Sequence, residues 1–204
     1  MLTLVTDLFN DKADDWDERP IPTQISEGVG AVLLDKVPLR PSMRVLDFGA
    51  GTGLLSSRVA PHVESILAVD ISESMLEKLK AKPELTGKVR VVCQNLLEKT
   101  LGEQVDLIMS AMALHHVEDT AQLLRVFAEH LPSGGGLALA DLDKEDGSFH
   151  PADIQGVFHQ GFDRDELGRL LEEAGFKDIQ FTTATEVSKE ERSYPIFLVT
   201  AIRN

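Results

Sequence analysis

Short uninterrupted apolar runs alternate along this chain with segments whose apolar residues recur at helical spacing. The runs at 44–48, 65–69, 88–93, 105–110 and 136–140 are rich in Val, Ile and Leu and lack polar alternation. That pattern predicts strands of a parallel sheet covered on both faces. Between them, 54–60, 73–81 and 120–131 predict helices, so the strand–helix alternation points to a doubly wound α/β fold. Ahead of the first strand, Ile25, Val29, Val32, Leu33 and Val37 place a helix over 23–37, which Pro38 and Pro41 stop. The acidic segment 8–22, with the only tryptophan at Trp16, reads as an irregular or weakly helical arm.

The last part of the chain has a different rhythm. Asp163 and Glu166 cap a helix over 164–174 and Gly175 ends it. Strands at 177–182 and 196–202 follow, joined by a polar stretch, and pair most simply as an antiparallel hairpin. No internal repeat or linker interrupts the pattern. The expected organisation is a single domain over 1–204, with an arm and helix in 1–40 and an α/β core in 41–204.

Composition narrows the partners. Lys and Arg number 20 against 34 Asp and Glu, a formal net charge of −14. Such a chain is a poor match for a phosphate backbone, so nucleic acid is not expected as a partner. The single cysteine, Cys93, cannot form an internal disulfide, and its neighbours Val91 and Val92 suggest a buried strand position. Residues 1–16 lack the basic start and apolar run of a signal peptide, and no apolar stretch reaches the ~20 residues of a membrane span. A cytoplasmic protein is the expectation.

The most informative segment is Val45-Leu46-Asp47-Phe48-Gly49-Ala50-Gly51-Thr52-Gly53. A hydrophobic strand runs into three alternating glycines before the next helix, which makes a ligand crevice at the strand's carboxyl end. The dinucleotide fingerprint G-x-G-x-x-G would need glycine where Leu54 stands. Asp47, two residues before the turn, would repel a pyrophosphate but attract a cationic ligand. Asp70, at the end of the second strand, is placed to take both hydroxyls of a ribose, and Ile71 offers an apolar face to a purine.

Together with Val105-Asp106-Leu107-Ile108-Met109-Ser110-Ala111, Leu114-His115-His116, Pro132-Ser133-Gly134-Gly135 and Phe162-Asp163-Arg164, these motifs resemble the class I S-adenosylmethionine-dependent methyltransferases. Within that family the chain is most similar to the small-molecule branch containing ubiquinone and menaquinone methyltransferases. The resemblance covers about 9–202. It implies a Rossmann-like seven-stranded sheet in the order 3-2-1-4-5-7-6, strand seven antiparallel, with helices on both faces. It also implies S-adenosylmethionine as cofactor and S-adenosylhomocysteine as product. The turn at Gly49, Ala50, Gly51 and Gly53, with Asp47, would meet the methionine part, Asp70 the ribose and Ile71 the adenine. Asn95 and Leu96 would lie at the adenine amino group, where many relatives carry aspartate in place of Asn95. Ser110 and Ala111 would lie near the sulfonium, and the arm that includes Trp16 would cap the cofactor.

The cofactor brings the electrophile, so the protein must align a nucleophile with the methyl–sulfur axis and exclude water. Among candidate catalytic groups, His115 and His116 follow strand four and Asp141 ends strand five. His150 and His159 fall in an insertion that could form a lid. No ligand cluster for a metal can be assembled from these spacings. Strand four ends Ser110-Ala111-Met112-Ala113 rather than in the Asn/Asp-Pro-Pro-aromatic motif of adenine- and glutamine-methylating enzymes. A small organic acceptor, methylated on oxygen or carbon, is therefore expected. Two alternatives are a catalytically silent binding protein with the same pocket and, disfavoured by Leu54 and Asp47, a nicotinamide-dependent oxidoreductase.

Overall fold

The computed structural model describes residues 9, 12–151, 154–189 and 191–204. Parts of the expected arm, Leu8, Asn10 and Asp11, lie outside the described residues. Seven strands form one sheet in the order β3-β2-β1-β4-β5-β7-β6. They are β1 (Arg44–Phe48), β2 (Ser65–Asp70), β3 (Val89–Cys93), β4 (Leu107–Ala111), β5 (Gly136–Leu142), β6 (Phe176–Lys189) and β7 (Arg192–Arg203). The first five are parallel, and β7 runs antiparallel to both β5 and β6. The order and the orientation of strand seven agree with the expectation.

The helices are α1 (Pro20–Lys36), α2 (Leu54–Val59), α3 (Glu73–Lys80), α4 (Thr120–Glu129) and α5 (Arg164–Glu173). α1 begins three residues earlier than its apolar spacing suggests. Pro20 occupies the first turn, where a missing N–H costs nothing and a fixed φ suits the helix. Ser72 caps α3 by accepting from the Met75 amide, and Asp163 caps α5 by accepting from Asp165 and Glu166.

Successive strand residues feed two cores. Val45, Ile66, Ala68, Leu107 and Met109 face α1, α2 and α3, while Leu46, Leu67, Ile108, Leu139 and Phe197 face α4 and α5. Continuous apolar runs in β1, β2, β4 and β5 follow directly, since both faces of these central strands are covered. Both layers hold the carboxyl ends of β1, β2 and β4 rigidly in one row.

Two expectations change. Cys93 is exposed rather than buried, because β3 is an edge strand whose residues are only partly covered. The stretch between 182 and 196 is not a polar connection. β6 and β7 continue through it as a long ribbon with register shifts at Lys177/Gln180 and Thr183/Thr185. Its alternating Thr, Ser, Glu and Lys residues read as loop, but cross-strand pairing carries them, as it does in solvated ribbons.

Phe127 of α4 is fully buried and meets Phe48 edge-on at 5.2 Å between ring centroids. Phe127→Ala should lower unfolding free energy by about 3–5 kcal/mol in denaturant titration, the usual cost of an unfilled aromatic site. A loss under about 1 kcal/mol would show that this layer collapses around the gap.

Candidate functional site

A cavity of about 880 Å³ opens at the carboxyl ends of β1, β2 and β4. Its floor is the glycine turn. The Gly49 and Ala50 amides both donate to the Val69 carbonyl, folding the turn back onto β2. Gly49 has φ +66°, and a side chain there would meet the Ala113 Cβ at 2.4 Å. Gly51 has φ +53°, and the space a Cβ would take is open for 4 Å. One glycine thus lets two backbones touch; the other leaves room for a ligand against the main chain.

Asp70 ties the turn to β2. Its Oδ2 accepts from the Gly51 amide at 2.8 Å and its Oδ1 from the Ser72 amide at 2.9 Å. Burial raises its pKa, and the backbone donors at Ser72, Gly51 and Ile71 oppose that rise. Asp47 is 2% exposed and accepts from the Ser56 hydroxyl at 2.6 Å. Burial pushes it up to about 7; the Ser56 bond pulls it down and the Asp70 charge pushes it further up. Among the described residues neither carboxylate has a basic partner within salt-bridge distance.

Of the expected cofactor residues, Asp47, Gly49, Ala50, Gly51, Asp70, Ile71, Asn95, Leu96 and Trp16 line this cavity. Gly53 and Ser110 do not. Gly53 faces Leu79 and Leu85 at the start of α2. Ser110 is fully buried, and its hydroxyl donates to the Phe48 carbonyl at 2.7 Å, so it braces β1 against β4. Ala111, one residue on, lines the cavity in its place. The Asn95 side-chain oxygen accepts from the Leu97 amide at 3.0 Å, which shapes the turn after β3.

The arm lies across the opening. Thr52 donates to Asp17 at 2.5 Å, Lys82 pairs with the same carboxylate at 2.6 Å, and Lys78 pairs with Asp14 at 2.6 Å. Trp16 packs edge-on against Phe9 with centroids 6.1 Å apart. Arg19 spends its guanidinium on Asp15.

The far end of the cavity holds three histidines. His115, in the 3₁₀ turn Leu114–His116, is 1% exposed, and its Nδ1 lies 2.7 Å from Asp141 Oδ1. Asp141 also accepts from the His115 and Leu142 amides. Burial alone would raise the Asp141 carboxyl, but the His115 charge and these hydrogen bonds outweigh it and hold it low. When the His115 ring is neutral, an ionised Asp141 accepts from Nδ1–H and leaves Nε2 as an acceptor, a tautomer assigned from this network. Among the described residues that Nε2 is buried without a partner. Asp141 itself lies behind the ring, outside the cavity lining. His116 meets the Gly156 carbonyl at 2.6 Å, and burial, aided by His115, lowers it to about 4. His150, 5.0 Å from His115 between ring centroids, is likewise lowered to about 4, chiefly by burial. His159 sits against the Val117 carbonyl and the Thr120 hydroxyl, anchoring the segment between β5 and α5. Among the described residues no group of His, Cys, Asp or Glu is arranged to hold a metal ion.

Ile21 and Ile25 of α1, Phe149 before His150, and Lys189 at the end of β6 also line the cavity, and sequence reading missed them. Ile25 belongs to a helical stripe that signals only core, and Ile21 falls in the segment read as an irregular arm. Lys189 reaches the site only because β6 runs longer than its apolar run.

The family described as a methyltransferase domain matches residues 21–180. Over 138 residues the chain is 28% identical to an uncharacterised methyltransferase of Schizosaccharomyces pombe, covering 60% of this chain and 49% of that protein. The ubiquinone biosynthesis O-methyltransferase of Xanthomonas campestris pv. campestris is 29% identical over 151 residues, 70% of this chain and 62% of its own length. The match thus spans between about half and two thirds of these curated relatives. Among solved structures, magnesium protoporphyrin IX methyltransferase from Synechocystis PCC 6803 with bound SAH matches with a TM-score of 0.73 at 21% identity, over 99% of both chains. An N-methyltransferase from Bradyrhizobium japonicum WM9 in complex with S-adenosyl-L-homocysteine gives 0.74 at 16%, over 98% of this chain and 96% of that one. These two likenesses are of fold.

Asp17→Ala removes the acceptor of the Thr52 bond and the Lys82 partner together. Trypsin should then cut after Lys12 about three- to ten-fold faster, as expected when local opening becomes easier by roughly 1 kcal/mol. An unchanged rate would mean that other contacts hold the arm.

Proposed function

The chain belongs to the methyltransferase-domain family, that of the class I S-adenosylmethionine-dependent methyltransferases, and on that premise we propose that it methylates a hydroxyl oxygen of a small organic acceptor. Residues 41–204 form the catalytic core in this reading, and the arm with α1 closes over the cofactor. The observation that carries it is a pair of acids, the buried Asp47 and the partly buried Asp70, beside a main-chain gap at Gly51. Burying two neighbouring acids without a cation is costly, and a sulfonium nucleoside supplies the missing positive charge.

In this reading Asp70 holds the ribose while keeping its two backbone donors, Ile71 and Leu96 pack on the base, and the glycine turn meets the methionine part. When bound, S-adenosylmethionine supplies an electrophilic methyl group. His115 then needs only to accept a proton. Its Nε2 takes the acceptor's hydroxyl proton as the oxygen takes the methyl, and Asp141 stabilises the imidazolium that forms. The leaving sulfur departs neutral, and the proton passes later to water. His116 and His150, both neutral near pH 7, add no competing positive charge beside the transferring group. The apolar walls contributed by α1 and the arm exclude water from that step.

Calorimetry tests the charge argument. The cationic cofactor favours ionised Asp47, whose free value is about 7. Binding of S-adenosylmethionine at pH 7 should therefore release on the order of half a proton, read from buffers of different ionisation enthalpy. S-adenosylhomocysteine, with neutral sulfur, should release clearly less. Equal release by the two ligands, or no binding by either, contradicts the proposal.

Asp70→Ala should weaken cofactor binding by about 10- to 100-fold, the loss of charge-assisted hydrogen bonds worth roughly 1–3 kcal/mol. An unchanged dissociation constant takes Asp70 out of the ribose site.

A further inference from the structure

Charged groups of both signs line the cavity: Asp47 and Asp70 at the glycine turn, Glu118 after the 3₁₀ turn, Lys12 and Arg19 of the arm, and Lys189 with the three histidines. Lys189 is half-buried, donates to the Phe149 carbonyl at 2.8 Å, and lies 5.9 Å from the Phe149 ring centroid. Among the described residues it has no carboxylate partner, although the chain carries 34 acids and both Lys78 and Lys82 are paired. His150 follows Phe149, meets its ring edge-on at 4.9 Å, and has a buried Nε2 without a partner. The Lys189 charge is among the influences that hold His150 neutral, so the two groups share one neighbourhood.

Among the described residues, two ring nitrogens without a hydrogen-bond partner and an ammonium without a carboxylate partner thus share one corner. Leaving a buried polar atom without a partner is costly, and two in one wall of a cavity mark a place where a polar ligand completes the structure. The rings of Phe149, Phe158, Trp16 and Phe9 around it suit a flat aromatic body. On the proposed methyl transfer, on which this inference rests, one ring nitrogen is already committed: His115 takes the proton of the methylated hydroxyl. The remaining pair, Lys189 and His150, is built for an anion. An ammonium and a neutral N–H donor both donate, and neither offers a full negative charge to a cationic group.

We propose that the acceptor is an aromatic hydroxy acid, bound with its hydroxyl at His115 and its carboxylate at Lys189 and His150. The long ribbon of β6 and β7 then has a use, since it carries Lys189 from the sheet edge to the acceptor corner. A neutral phenol would fill the same apolar walls but leave the ammonium and the His150 nitrogen unanswered. Lys189 is a specificity residue in this scheme. The methyl-transfer step needs only His115 and Asp141.

The test uses wild-type protein loaded with S-adenosylhomocysteine and a panel of hydroxybenzoates beside their neutral hydroxybenzamides. By calorimetry the acids should bind about ten-fold or more tightly than the matching amides, as a charge-assisted contact predicts. With S-adenosylmethionine the same preference should show in kcat/KM. Lys189→Met should bring the acid-to-amide ratio to near one, and Lys189→Arg should restore it, which a purely structural role for Lys189 would not do. Equal binding of acids and amides by the wild-type protein overturns the acceptor class, as does a ratio that Lys189→Met leaves intact. S-adenosylhomocysteine binding with no affinity for any hydroxybenzoate also overturns it while leaving the methyltransferase reading in place. Failure of the nucleoside itself to bind overturns that reading first.

Discussion

The Asp70 carboxylate, shared between the Gly51 and Ser72 amides, is the contact on which the site depends. It joins the end of β2 to the turn after β1 and starts the loop into α3. Two parallel strands end side by side because of it, and their carboxyl termini open into one crevice. The carboxylate is also electrostatically unfinished. Backbone donors oppose its burial only in part, and Asp47 adds a second buried acid nearby. In the proposed reading a bound cation relieves that cost.

The scaffold makes that strain tolerable. Both faces of the sheet are sealed by helices, so the strand ends have little freedom to move apart and let water reach the acids. The rim is built of less regular segments, where the arm, the segment between β5 and α5, and the end of the β6–β7 ribbon meet. Each is fastened by a few polar contacts: Asp17 to Thr52, His159 to Val117, and Arg164 to Asp143 through two bonds of 2.7 Å. Rigid floor and lightly tied rim is the division that the proposed methyl transfer calls for, since both reactants would have to enter before water is excluded.

Local features of the sequence carried most of the fold. Apolar runs sealed on both sides have no other reading than a covered parallel sheet, and the alternating glycines after β1 marked the crevice. Asp47, Asp70 and Ile71, named from their place beside the glycine turn and at the second strand's end, line the cavity, as does Asn95, named from the family resemblance. What failed depended on neighbours far away in sequence. Cys93 sits beside valines, yet its strand is an edge, and no local pattern reveals an edge. Ser110 follows a buried strand toward the site, yet its hydroxyl is captured by the Phe48 carbonyl 62 positions away. The ribbon was misread because its stability comes from pairing between strands rather than from its own composition. Asp141 and His115 were named separately, and only the closure of β5 against the turn after β4 shows that they form a pair.

The central claim is that the gap at Gly51 beside Asp70 receives a sulfonium nucleoside. A crystal structure of the protein grown with S-adenosylhomocysteine addresses it directly. The predicted result is density for the ribose at Asp70 and for the amino-acid part along the main chain from Gly49 to Gly51, with the sulfur turned toward the His115 end. Density for the nucleoside elsewhere, or an ordered crevice that stays filled by protein atoms at saturating ligand, would contradict it.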